Sequence, residues 1–73
     1  MSQGLPVVSG LELVQALCRL GYSVRDQKGS HIHLRHPFRR PLTVPDHPEI
    51  ARGTLRVILR DAGLTPEELR DLL

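Results

Sequence analysis

The stretch Lys28-Gly29-Ser30-His31-Ile32-His33-Leu34-Arg35-His36-Pro37 places three imidazoles and two permanent cations within ten residues. An imidazole has an unperturbed pKa of about 6.5, so it takes and gives protons near neutrality. That chemistry suits metal-free cleavage of RNA, which carries its own nucleophile. Once a base removes the 2′-hydroxyl proton, the oxygen attacks the adjacent phosphorus. Charge building on the phosphorane oxygens then needs cations beside it. Lys28, Arg35, Arg39 and Arg40 lie close enough in sequence to supply them. Gly29 permits close approach of backbone to a phosphate, and the Ser30 hydroxyl can donate to an oxygen.

Among the histidines, His31 is the central candidate. His33 either transfers a second proton or only binds phosphate and solvates its surface. His36, beside Pro37, should turn to the opposite face as a structural or loop residue, and His47 carries no specific signal. The H-x-H-x-x-H spacing lacks cysteines, and a strand would send His36 away from the other two. No metal or other cofactor is expected.

These residues need elements to hold them. Ser9 can cap a helix running through Leu20, with Gly21 closing it. Leu11, Val14, Leu17 and Cys18 form its apolar face, widened by Leu13 and Leu20, so Cys18 reads as a buried thiol. Three stretches of period two follow. In the first, Tyr22 and Val24 face one way, and Ser23 and Arg25 the other. After a turn at 27–30, Ile32 and Leu34 point inward and leave His31, His33 and Arg35 together on the outer face. The third, from about Arg40 to Val44, turns Leu42 and Val44 inward, and its two prolines suit an edge strand.

A second helix from about Thr54 to Ala62 packs through Leu55, Ile58, Leu59 and Ala62. Arg52, Arg56 and Arg60 align along it if the first turn reaches back to Arg52, and Arg56 is a candidate phosphate ligand. Thr65-Pro66-Glu67-Glu68 carries the pattern of a capping box, starting a short last helix to about Leu72. The expectation is an α+β fold of order α-β-β-β-α with a short C-terminal helix. Its helices cover one face of a three-stranded antiparallel sheet, an arrangement that resembles a double-stranded-RNA-binding domain. Residues 1–8 read as a loose lead-in and residues 9–73 as one domain.

Composition sets limits on function. A 73-residue chain buries only about 60% of the surface its unfolded form exposes, so a shallow site for a polymer fits better than a pocket around a metabolite. Tyr22 and Phe38 are the only aromatics, too few for a broad base-stacking platform. Residues 25–40 hold Arg25, Lys28, Arg35, Arg39 and Arg40 against Asp26, a net +4. Residues 61–73 hold Asp61, Glu67, Glu68 and Asp71 against Arg70, a net −3. A basic centre beside an acidic tail points to a polyanion on one surface. No apolar run approaches the ~20 residues of a membrane span, and the N-terminus lacks a signal-peptide pattern, so a cytoplasmic protein is expected.

The motifs in their order resemble the HicA family of toxin ribonucleases over about Ser9 to Leu72. They are Leu20-Gly21-Tyr22, Lys28-Gly29-Ser30-His31, Leu34-Arg35-His36-Pro37, Leu42-Thr43-Val44-Pro45, and Gly53-Thr54-Leu55-Arg56 with Ile58-Leu59-Arg60 and Ala62-Gly63-Leu64. The resemblance implies a toxin that cleaves mRNA and so arrests translation, with His31 as the catalytic residue. It also implies a HicB-type antitoxin that covers the site. Many members carry a second histidine directly after the first, where this chain has Ile32. Two other readings share the same residues: a non-catalytic RNA-binding module, and an inactive toxin homologue that survives as an antitoxin ligand.

Overall fold

A computed structural model describes residues 4–73. Ser9 starts the first helix, α1 (Gly10–Arg19), through a reciprocal cap. Its hydroxyl accepts from the Glu12 amide at 3.0 Å, and the Glu12 carboxylate accepts from the Ser9 amide at 2.8 Å. Two otherwise unpaired donors are thereby satisfied. Gly21 leaves the helix with φ 111°, a conformation that side-chain-bearing residues rarely adopt.

The apolar face of α1 is rotated from the one its spacing predicts. Leu13, Val14, Ala16 and Leu17 are buried, whereas Leu11 is 57% exposed and Cys18 is exposed as well. Gly10 supplies the reason. A Cβ there would collide with the Pro45 carbonyl oxygen and lie 3.0 Å from Asp46 Cα, and the Gly10 amide donates to the His47 carbonyl at 2.9 Å. This close backbone approach sets the helix's rotation, which leaves Leu11 and Cys18 outside the packed arc.

The strands are β1 (Ser23–Lys28), β2 (His31–Arg35) and β3 (Leu42–Pro45), antiparallel in the order β1-β2-β3. The histidine-bearing strand is therefore central, and the proline-bounded strand lies at an edge where missing donors cost least. Lys28 pairs with His31, so the hairpin loop is only Gly29-Ser30. Gly29 has φ 59° and Ser30 does not share the positive sign, which matches the chemistry of a II′ turn.

Ile32, Leu34, Leu42 and Val44 point inward as their alternation predicts. Val24 pairs with Leu34 yet is 51% exposed, because β1 is an edge strand. Tyr22 is buried, and its hydroxyl donates to the Arg40 carbonyl at 2.8 Å. Beyond Val24 the register shifts, and Arg25 becomes an extra residue in a β-bulge.

The chain continues with α2 (Arg52–Ala62) and α3 (Pro66–Leu72). The first does begin at Arg52, so its three arginines share a stripe, and it packs through Leu55, Ile58, Leu59 and Ala62. Gly63 ends it at φ 76°. Thr65 and Glu68 form the expected capping box on α3, with Pro66 in the first turn. All three helices contribute to one core with the inward residues of the sheet, leaving the other sheet face uncovered. The molecule is thus α+β. Of the lead-in expected to be loose, residues 1–3 lie outside the described residues. Val8 is buried, and its carbonyl accepts from the Ile50 amide at 2.8 Å.

Candidate active site

Strand register determines which side chains meet on the open face. Directly opposed residues of an antiparallel pair point to the same side, with Cβ atoms about 4.5–5.5 Å apart. Across the β1–β2 ladder, Lys28 opposes His31, Asp26 opposes His33 and Ser23 opposes Arg35. Across β2–β3, Pro45 opposes His31 and Thr43 opposes His33. Since Ile32 and Leu34 are buried, these partners all project from the uncovered face.

His31 is exposed at the start of the central strand. Among the described residues nothing hydrogen-bonds its ring. The turn beside it is braced from two sides. The Ser30 carbonyl accepts from the Asp46 amide at 2.6 Å, and the Gln27 side-chain amide donates to the Gly29 carbonyl at 3.1 Å. Lys28, Gly29, Ser30 and His31 consequently form one end of the face, held by contacts to the turn's carbonyls that leave the candidate side chains open.

His33 differs from its neighbour. Its Nδ1 lies 2.6 Å from Asp26 Oδ1, while Arg25 Nε stands 3.6 Å from the other carboxylate oxygen. The hydrogen bond from His33 holds the Asp26 carboxyl below its ordinary value of 3.8, helped by the charges of His33, Arg25 and Lys28. A group so depressed supports the fold above the unfolded value and loses that support as pH falls through the folded one. Wild type and Asp26→Asn should therefore converge in stability only in acid, below the depressed value and hence below pH 3.8, measured as denaturation midpoints across a pH series. A gap that persisted undiminished there would refute this account of the pair.

Asp26 is the residue that sequence reasoning missed. Strict alternation from Val24 would turn it inward, and only the bulge at Arg25 returns it to the open face. Its one legible signal was an acid standing alone in a basic stretch.

The remaining cations are dispersed. Arg35 is exposed on the open face. Arg39 is half-buried and donates to the Ala62 carbonyl at 2.7 Å, satisfying the end of α2. Arg40 is exposed in the loop before β3. Arg56 lies on the helix layer, which the sheet separates from His31. His36 is structural: its Nδ1 accepts from the Phe38 and Arg39 amides at 3.0 and 3.2 Å, which leaves Nε2 to donate to the Leu20 carbonyl at 3.1 Å. An open groove of about 660 Å³ between α2 and β3, lined by Thr43, Thr54, Val57 and Asp61 among others, includes none of the candidates.

The fold and this face define a small α+β domain presenting histidines and cations from an uncovered sheet. No helix among the described residues is long and apolar enough to cross a membrane. A family model described as the HicA toxin of bacterial toxin–antitoxin systems matches residues 10–64, and the chain belongs to that family. Membership makes it the toxin half of a toxin–antitoxin pair, with an antitoxin as its counterpart. The match takes in every element that carries a candidate residue and stops before α3. No curated protein matches the chain.

Proposed function

We propose that the chain is a metal-independent endoribonuclease that cleaves mRNA with His31 at the reacting phosphate. The observation that carries this reading is the unengaged, exposed His31 ring on an open face, one strand across from Lys28. An imidazole free of structural hydrogen bonds is available to accept the 2′-hydroxyl proton. Lys28 and Arg35 on the same face hold flanking phosphates, and the Gly29-Ser30 turn brings backbone and hydroxyl to the reacting one. Arg40 extends the basic rim. Arg39 and Arg56 are farther candidates: one guanidinium is already bonded to Ala62, and the other reaches only substrate that wraps the helix layer.

Residues 9–73 work as one domain in the cytoplasm, where mRNA is found. A HicB-type antitoxin inhibits by covering the open face, since a shallow site has no other means of exclusion. Purified protein freed of antitoxin should fragment a long single-stranded RNA in EDTA, leaving 2′,3′-cyclic phosphate ends. RNA that stays intact yet bound, with steep salt dependence, would refute the enzyme and support a binding module or an inactive toxin.

A further inference from the structure

On the proposal that the chain cleaves RNA, we propose that Asp26 is a positioning residue that makes His33 the general acid opposite His31. The argument begins with the 2.6 Å contact between Asp26 Oδ1 and His33 Nδ1. A carboxylate can only accept, so Nδ1 must carry the proton. That fixes the tautomer and turns Nε2 away from the carboxylate. Both side chains remain about one-third exposed, so the far edge of the ring is reachable from solvent. A carboxylate behind an imidazole orients the ring and stabilises the imidazolium that an acid must begin as.

Position agrees with chemistry. His31 and His33 are two apart on one strand, so their Cα atoms are about 6.6 Å apart and their rings project from the same face. One phosphorus fits between them. The neutral His31 takes the 2′-hydroxyl proton as the 2′-oxygen bonds to phosphorus. The bond from phosphorus to the 5′-oxygen breaks, and that oxygen takes the proton from His33 Nε2. The products are a 2′,3′-cyclic phosphate and a 5′-hydroxyl, and solvent restores both rings. Arg25 on the second carboxylate oxygen and Lys28 two residues along keep Asp26 ionised for this work. Thr43 on the other side of His33 is uncharged and brings no competing ion pair.

The test compares wild type, Asp26→Asn, His33→Ala and the double variant on one labelled RNA, with the histidine tautomers read by long-range ¹H–¹⁵N NMR. In its neutral form wild-type His33 should carry its proton on Nδ1, with Nε2 the site that gains and loses the second proton, and Asp26→Asn should give a mixture of neutral tautomers. Cleavage by Asp26→Asn should lose roughly tenfold to a hundredfold in kcat with KM little changed. The double variant should be no slower than His33→Ala, because a positioning residue has nothing left to position. Wild-type kcat in Asp26→Asn, or additive losses in the double variant, would overturn the dyad. A neutral wild-type His33 ring protonated on Nε2 alone, leaving Nδ1 bare toward Asp26, would overturn it independently of any RNA. Wild-type protein that cuts no RNA would instead defeat the ribonuclease reading and the catalytic part of this one with it.

Discussion

Replacing His31 with alanine should lower RNA cleavage by ~10²–10⁴-fold while the fold and RNA affinity survive. The separation of effects follows from where the residue sits. His31 is exposed and contributes nothing to the buried core, so its truncation leaves no cavity. Its partners in register, Lys28 and Pro45, are set by the strand pairing, which alanine retains. What alanine lacks is the imidazole that transfers the proton in the proposed reaction, and such a group typically contributes 10²–10⁴-fold in acid–base catalysis. Lys28 and Arg35 remain on the face, so the salt dependence of binding should be nearly that of wild type. The measurement is a single-turnover cleavage rate in EDTA beside a thermal melt and a binding isotherm. Cleavage by His31→Ala at the wild-type rate would move the chemistry elsewhere on the face. In cells the same variant should relieve growth arrest on induction.

Leu17→Ala should be among the most damaging truncations for the fold, with a loss of about 2–5 kcal/mol. Leu17 is completely buried in the packed arc of α1, beside Leu13 and Ala16. Its carbonyl also accepts from the Leu20 and Tyr22 amides at 3.0 Å, so the helix end and the entry to β1 meet at this residue. A chain of 73 residues has only about 4–11 kcal/mol of stability in total. One large core truncation can therefore remove half of it or more. Urea unfolding should show the midpoint falling with little change in slope. A loss under about 1 kcal/mol would mean that α1 can shift to fill the space, contrary to the tight contact of Gly10 with Pro45.

Much of the frame around His31 and Leu17 is legible in short runs of sequence. Caps at Ser9 and Thr65, the terminating glycines at 21 and 63, and the alternation through His31-Ile32-His33-Leu34 are written within a few consecutive residues. Each rests on hydrogen bonds or periodicities that span at most one helical turn or a pair of strand positions. The sequence alone therefore determined the order of elements, the inward set of β2, and the outward placement of both histidines.

Tertiary structure decided the rest, because it depended on contacts between residues far apart in the chain. The approach of Gly10 to Pro45 chose which arc of α1 is buried and put Leu11 and Cys18 outside it. Arg39 was drawn to the Ala62 carbonyl, 23 residues away, and so fills a structural vacancy at a helix end. Most consequential is the bulge at Arg25, which brings Asp26 beside His33 on the open face. Its position cannot be counted from spacing, since a one-residue slip in pairing reverses every later side chain. Which residue slips is settled only when the hairpin closes and its inward side chains find the core.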